Sequence, residues 1–288
     1  MRIRATVAAV TGAVALSALA VPAAQAADPL PDLSSLVPST SKAAPFAAAA
    51  PADESEGDTK IKSVTVNGGK NIVVGTTVKK SFTVSVTATD PKGIYDAFPV
   101  LWHGPDAEHA DGGIEPTTMD NEKVGKCTHS SATTATCKVT LVADPQTNIY
   151  GNILAGTWKV WAAAIGKDGD YVIREAYKTT KVQRASKLTV NASPEPVKKG
   201  KTITVTGKLS RANWDDLKYH GYTNQSVKLQ FRKKNSNTYT TVKTIKSNST
   251  GALKTTVKAS TDGYFRYSFA GTTTTPAVNA TGDFVDVK

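Results

Sequence analysis

Two cysteines are the residues whose type and spacing point most directly to chemistry. Cys127 and Cys137 are the only cysteines of this 288-residue chain, and the segment between them is polar. An even cysteine count in an exported chain indicates a disulfide, which a hairpin with one cysteine on each strand would allow. The alternative is a zinc site using Cys127 and His129, but zinc prefers four ligands and no second ligand pair exists here. We therefore predict a Cys127–Cys137 disulfide and no metal site.

The densest polar cluster of the chain lies between Trp102 and Glu122. Its members are His103, Asp106, Glu108, His109, Asp111, Glu115, Asp120 and Glu122. Calcium prefers such oxygen ligands, so a calcium-stabilised module is one interpretation. The ordered Asp-x-Asp-x-Asp-Gly loop is absent, and several glycines and prolines indicate a long irregular loop instead. We favour the loop and predict no cofactor, with Ca²⁺ as the alternative.

No motif selects a catalytic centre. The chain lacks a Gly-x-Ser-x-Gly elbow, a His-Glu-x-x-His pair and a phosphate-binding loop. Its four histidines, at positions 103, 109, 129 and 220, are scattered in polar stretches. A Ser–His–Asp set is defined by geometry and not by order, so a hydrolase with a spatially assembled site stays open. We predict that the protein is not an enzyme.

An aromatic stretch, Arg211–Thr223, interrupts the pattern of the segments around it. Aromatic side chains on a loop can stack against sugars or fill a partner's pocket, and they can equally cap the open end of a domain. We predict a contact site here and leave the capping role open. The candidate contact residues are Trp214, Tyr219 and Tyr222.

The formal net charge of +11 is spread unevenly. Residues 185–288 hold seventeen Lys and Arg against six Asp and Glu, whereas residues 59–184 hold fifteen against twelve. A positive field attracts anionic partners, although exposed lysines also serve solubility and protect edge strands. We predict contact with an anionic envelope polymer, or alternatively an extracellular protein, and no specific nucleic acid. The candidate contact residues are Lys198, Lys199, Lys201, Lys233 and Lys234.

The strands that position these residues are indicated by apolar and polar residues that alternate with a period of two. This alternation recurs in segments such as Ile61–Val66, Phe82–Thr89, Ile203–Thr206 and Val227–Phe231, as in half-buried strands. Turn signals separate the segments. They include Asp90–Gly93, Asp168-Gly169-Asp170, Lys199-Gly200-Lys201, Lys233–Thr238, Thr250-Gly251 and Asp262-Gly263. We predict an all-β chain with two tandem immunoglobulin-like antiparallel sandwiches, at residues 59–184 and 185–288.

A resemblance supports this fold. The strand Val227–Phe231, the segment Tyr239–Val242 and the sequence DGYFRYSFAG at Asp262–Gly271 resemble bacterial immunoglobulin-like repeats. More closely, Lys187–Lys288 resembles the C-terminal half of a group of small secreted actinobacterial proteins. Those proteins are mostly uncharacterised, and some are loosely labelled calcium-binding. The resemblance implies the fold and secretion, and it transfers no active site.

The N-terminus carries export signals. Residues 1–26 combine a positive start, an apolar segment and a small-residue cleavage site at Ala24-Gln25-Ala26, which predicts a signal peptide. Residues 27–58 are rich in Ala and Pro and acidic, which predicts a disordered linker. No later segment reaches the roughly 20 apolar residues that a membrane-spanning helix needs. We predict a secreted protein, or a wall-associated one without a covalent anchor.

Overall fold

The computed structural model describes residues 53–117 and 123–288. The predicted signal peptide and most of the predicted linker lie outside these residues. Regular structure in the described residues consists of β-strands and two short 3-10 helices, Asn67–Gly69 and Asn152–Leu154. The predicted all-β class is therefore confirmed. Within the same residues, no helix is long and apolar enough to cross a membrane.

The N-terminal module contains ten strands in two sheets. They are β1 (Glu54–Glu56), β2 (Lys60–Val66), β3 (Ile72–Val74), β4 (Lys80–Thr89), β5 (Ile94–His103), β6 (Gly112–Ile114), β7 (Lys126–His129), β8 (Thr134–Ala143), β9 (Gly156–Gly166) and β10 (Tyr171–Arg184). One sheet has the order β1-β10-β9-β5-β6, with β3 beside β10, and the other has the order β2-β4-β8-β7. A shared apolar core lies between the sheets, and Trp102, Trp158 and Trp161 are fully buried in it.

Strand β5 was not recognised in the sequence. Seven consecutive residues, Asp96 to Trp102, are buried, so the strand does not alternate between apolar and polar residues. It pairs with β9, in which Trp161 to Gly166 are also all buried. Pro99 further weakens the strand signal, because proline lacks the N–H group that a ladder uses. Period-two alternation detects half-buried strands and fails for strands covered on both faces.

The end of the predicted linker is structured, which corrects the predicted boundary at residue 58. Strand β1, Glu54–Glu56, pairs antiparallel with Tyr171–Ile173 of β10. The Glu175 amide donates to Asp53 Oδ1 at 3.0 Å, and the Tyr171 hydroxyl donates to the Glu54 carboxylate. Hydrogen bonding to Glu54 raises the pKa of Tyr171 to about 12. Backbone pairing at a free sheet edge needs no apolar side chains, so composition did not indicate this strand.

The C-terminal module contains ten further strands. They are β11 (Ser186–Leu188), β12 (Asn191–Ser193), β13 (Thr202–Asn213), β14 (Lys218–Gly221), β15 (Ser226–Lys233), β16 (Thr240–Lys246), β17 (Ala252–Lys258), β18 (Gly263–Phe269), β19 (Val278–Asn279) and β20 (Asp283–Val285). Strand β13 pairs with β11, β12, β14 and β17, and the facing sheet has the order β16-β15-β18-β19 with β20 beside β18. Their inner faces enclose a second apolar core.

The aromatic stretch is a β-hairpin, which corrects the prediction of an interrupted strand pattern. Strand β13 continues to Asn213, and β14 pairs with it from Ser210↔Gly221 to Asn213↔Lys218. The hairpin projects from the C-terminal module to the N-terminal module, because Ala212 and Trp214 belong to the N-terminal core. The N-terminal module therefore covers one side of the hairpin. For this reason the hairpin sequence lacks the alternation of apolar and polar residues that a half-exposed hairpin would show.

Candidate functional site: two cation–aromatic clusters of the C-terminal module

The predicted disulfide is confirmed. Cys127 of β7 and Cys137 of β8 lie directly opposite each other, and their sulfur atoms are bonded. Buried Asp96 lies beside the disulfide and accepts the amides of Val124 and Gly125, at 2.7 and 3.0 Å. Burial raises the pKa of this carboxyl group. Because both sulfur atoms are oxidised, they are not available as zinc ligands.

The polar loop from Trp102 is described as far as Thr117, so Asp120 and Glu122 lie outside the described residues. Two of its carboxylates bond histidines: Asp111 Oδ1 lies 2.5 Å from His103 Nδ1, and Asp106 Oδ1 lies 2.7 Å from His109 Nδ1. The hydrogen bond raises the pKa of His109 and lowers that of Asp106. Within the described part of the loop, no three carboxylate or histidine ligands gather closely enough to hold a metal ion.

Three carboxylates do meet elsewhere, where two predicted turns approach each other. Oxygen atoms of Asp90, Asp168 and Asp170 lie within 4.8 Å of one another. Asp90 accepts the Thr59 hydroxyl at 2.6 Å, and Asp170 accepts the Asp58 amide at 2.7 Å. The protein therefore supplies donors to both carboxylates, and these bonds attach the start of the module to its turns.

Three histidines pair with carboxylates, and none of the four, including His129, hydrogen-bonds a hydroxyl group through its ring within the described residues. His220 Nε2 lies 2.6 Å from Asp216 Oδ2, in the manner of the His103 and His109 pairs. A serine-type triad needs a histidine nitrogen within hydrogen-bonding distance of a hydroxyl group. The described residues therefore give the hydrolase alternative no geometric support.

Trp214 connects the two modules. Its ring is 1% exposed and packs in the N-terminal core, and its indole N–H donates to the Gly75 carbonyl at 2.9 Å. Its amide donates to Asn152 Oδ1 at 2.9 Å, and the Asn152 side-chain amide also bonds Asn213 and Asp215. A side chain so enclosed cannot reach a partner, so the predicted contact role of Trp214 is corrected to a structural one.

Tyr219 and Tyr222 are half-buried beside it. Tyr219 packs against the N-terminal core, and Tyr222 packs against the C-terminal core, 5.7 Å from Phe269 between ring centroids. Each ring has a cation over it. Lys187 Nζ lies 3.8 Å from the centre of the Tyr219 ring, and Arg211 Cζ lies 3.9 Å from the centre of the Tyr222 ring. Burial raises the pKa of Tyr219. We call Lys187, Arg211, Trp214, Tyr219 and Tyr222 the joint cluster.

The strand connection between the modules is also held tightly. Only Ala185 separates β10 from β11. Gln183 Nε2 donates to the Thr272 carbonyl at 2.9 Å, and the Arg184 amide donates to Thr274 at 3.0 Å. The buried Arg184 side chain donates from Nε to the Ala212 carbonyl at 2.6 Å, and burial together with nearby Arg211 lowers its pKa to about 10.

The five predicted lysines lie together at the opposite end of the module, which we call the distal end. Lys198, Lys199 and Lys201 form the turn before β13, Lys233 ends β15 and Lys234 follows it; all five are exposed. The C-terminal segment connects these turns. The Lys199 amide donates to the Lys288 carbonyl at 2.7 Å, the Val287 amide to Asp262 Oδ1 at 2.9 Å, and the Lys234 amide to the Asp262 carbonyl at 3.0 Å.

A second cation–aromatic cluster lies beside the distal end, on the outer face of the β15–β16–β18–β20 sheet. Arg232 Cζ lies 3.8 Å from the centre of the Tyr264 ring, and Arg266 Cζ lies 3.8 Å from the centre of the Tyr239 ring. Lys234 Nζ lies 5.4 Å from the centre of the Phe284 ring. We call these six residues the platform. Sequence reasoning missed it, although the alternation in Tyr264-Phe265-Arg266-Tyr267 places Tyr264 and Arg266 on one face.

Comparisons with known proteins do not assign this chain to a family. No protein-family model matches the chain, and no curated protein matches it. Among solved structures, the D00-D0 domain of intimin is 16% identical, covering 77% of this chain and 99% of that one, with a TM-score of 0.25. The Yersinia pseudotuberculosis adhesin InvE is 13% identical, covering 77% and 58%, with a TM-score of 0.26. Because these identities and TM-scores are low, we base no functional conclusion on them.

Proposed function

We propose that this protein is a non-enzymatic binding protein of the cell envelope or the extracellular space. Its basic C-terminal module would hold an anionic polymer at the distal end. The observation that supports this most is the convergence of two lysine-rich turns, distant in sequence, at the end of the module farthest from the joint. Because the joint cluster is enclosed between the modules, the distal end is the free end of the module.

The charge of the module fits this role better than solubility alone. Seven lysines lie in the distal turns and the C-terminal segment, against four carboxylates, those of Glu195, Asp262, Asp283 and Asp286. Those lysines are Lys198, Lys199, Lys201, Lys233, Lys234, Lys258 and Lys288. Lysines that serve only solubility need no common location, whereas a polyanion gains from cations that act on the same segment.

Retention on purified cell walls of the producing organism, across a salt series, tests the proposal. We expect retention at low salt that falls as salt rises, because exposed charges are screened within about 10 Å at 0.1 M salt. Replacing Lys198, Lys199, Lys201, Lys233 and Lys234 with Gln should abolish most of the retention. A matched control changes five exposed lysines of the N-terminal module, Lys60, Lys62, Lys79, Lys80 and Lys138, to Gln.

The control separates a site from net charge. If both variants lose retention equally, the effect is one of net charge and the distal end has no special role. If the unaltered protein is not retained at any salt, the proposed function fails, and the lysines serve solubility.

A calcium-stabilised secreted module stays the alternative prediction. Calcium that binds only the folded state must raise the midpoint of thermal unfolding, and a chelator must reverse the rise. The test uses the full chain, since Asp120 and Glu122 belong to the predicted loop. An unchanged midpoint in excess calcium would remove this alternative.

A further inference from the structure

The outer face of the β15–β16–β18–β20 sheet has an unusual set of side chains. The strand register places these side chains in three rows across the sheet. The first row is Lys228, Thr244, Ser268 and Asn279, and the second is Gln230, Thr241 and Arg266. The third row is Arg232, Tyr264 and Phe284. None of these outward residues is acidic. Apart from Asp262, whose Oδ2 lies 3.8 Å from Lys234 Nζ, the platform therefore continues from the distal lysines along the sheet as a positively charged surface.

The two platform arginines are held in place before any ligand binds. Arg266 Nε donates to Gln230 Oε1 at 2.9 Å, and Arg232 Nη1 donates to the Ser236 carbonyl at 2.8 Å. Both guanidinium groups lie against the same ring, at 3.8 and 5.5 Å from the centre of Tyr239. Fixing a long side chain in advance lowers the ordering cost when a ligand binds.

The arginines also keep free donors. A guanidinium group carries five N–H donors, and no protein acceptor within the described residues bonds Arg266 Nη1 or Nη2, or Arg232 Nε or Nη2. Neither arginine forms an ion pair with a carboxylate in that part of the chain. Two oriented, unneutralised guanidinium groups fit the paired oxygens of a phosphate group.

The aromatic rings narrow the choice of polymer. Single-stranded nucleic acids bind such surfaces by stacking their bases on open aromatic faces, and flat sugar rings need open faces too. Here each platform ring already has a cation over one face. An acyclic polymer of phosphodiesters needs no open ring, because all of its recognition lies in its charged oxygens.

We propose that the platform binds a polyol-phosphate chain, with Arg232 and Arg266 contacting successive phosphodiester groups and the distal lysines extending the contact. This inference rests on the proposed function and names its partner and surface. It predicts that the two arginines contribute more to affinity than two lysines on another face of the module.

The experiment measures binding of the full chain to purified poly(glycerol phosphate) across a salt series. Arg232→Ala/Arg266→Ala should weaken binding at least about tenfold, because oriented charged hydrogen bonds are lost. It should also reduce the slope of log affinity against log salt by about 1.4, at about 0.7 per phosphate contact on a flexible strand. The matched control is Lys208→Ala/Lys254→Ala, which removes two charges from the outer face of the other sheet.

A charge-preserving variant tests the role of the rings. Tyr239→Leu keeps both arginines and removes the ring that both contact, so we expect binding to weaken several-fold with an unchanged salt slope. Unchanged affinity would overturn the orienting role. Equal losses of affinity in the two double variants would reject the platform as the binding site, and the proposal of an anionic partner would remain.

Matched polymers test the chemistry of the partner. Single-stranded DNA and polygalacturonate with the same number of charges should bind at least about tenfold more weakly at equal salt, if the acyclic phosphodiester chain is the ligand. Tighter binding of either polymer would overturn the assignment. Retention on walls without binding to poly(glycerol phosphate) would reject this polymer and keep the proposed function, whereas absence of both would reject both.

Discussion

The joint cluster and the platform are built from the same contacts and have opposite surroundings. Arg211 lies 3.9 Å from Tyr222 in the joint cluster, and Arg232 lies 3.8 Å from Tyr264 in the platform. In the joint cluster, Trp214 is buried and its N–H groups bond the other module. In the platform, the guanidinium groups lie on an open face. The pairing of a cation with a ring therefore does not define a binding site, and the environment of the pair decides its role.

The largest expected effect comes from the joint cluster. Trp214→Ala should destabilise the protein by about 3–5 kcal/mol, as expected when a fully buried tryptophan is removed from a core. Denaturant unfolding measures this change. Trp214→Phe should lose less, because it keeps a six-membered aromatic ring in the core, although it removes the rest of the indole and the bond to the Gly75 carbonyl.

The same variant sharpens the comparison. Folded Trp214→Ala protein should bind anionic polymer as the unaltered protein does, because the joint cluster lies at the other end of the module. Weaker binding by a protein that is still folded would break the distinction between the two clusters.

Asn152 should have the next largest effect. Its side chain accepts the Trp214 amide and donates to Asn213 and Asp215, so Asn152→Ala leaves the Trp214 amide without this acceptor and takes one donor from each of the other two side chains. We expect a loss of about 1–3 kcal/mol in unfolding free energy and a broader distribution of module orientations in small-angle X-ray scattering. Asn279→Ala, at an exposed outer-face position, is the control and should change stability by less than about 0.5 kcal/mol. Equal losses would mean that Asn152 does not hold the joint.

The sequence predicted half-buried elements well and covered ones poorly. Alternation in Phe82–Thr89 and Val227–Phe231 correctly predicted strands, because one face of each meets water. It failed for β5, which is buried on both faces, and for the hairpin that carries Trp214 into the other module. Burial between modules depends on contacts far apart in sequence, as with Trp214 and Gly75, and no local pattern encodes it. The distal lysines were predictable from composition, but the platform needed the strand register.

Two arginines provide a matched test of the comparison. Arg211→Ala should lower stability by about 1–2 kcal/mol and leave polymer binding unchanged, because Arg211 is half-buried and donates to buried Thr275. Arg266→Ala should cost less than about 1 kcal/mol in stability and weaken polymer binding. Denaturant unfolding and salt-series binding on the same preparations measure both quantities. The distinction fails if the two variants show the same profile.

The smallest predicted effect is a pH dependence of the distal end. Glu195 lies in the segment before Lys198, and slight desolvation, with Asp283 and Asp286 nearby, raises its pKa above the usual 4.5. As pH falls, this carboxyl group takes up a proton at a higher pH than an ordinary glutamate does, and the distal end then loses a negative charge. One charge at roughly 10 Å in water contributes about 0.4 kcal/mol, so polymer affinity should rise about twofold.

Glu195→Gln isolates this contribution. The variant should bind more tightly than the unaltered protein at pH 7 and should lose the rise on acidification that Glu195 causes. Phosphodiester groups stay ionised over this range, so any rise that persists in the variant comes from other ionisable groups of the protein. If the variant and the unaltered protein show identical pH profiles, Glu195 lies too far from the bound polymer. The binding surface would then be confined to the outer face of the sheet, without the turn that contains Lys198, Lys199 and Lys201.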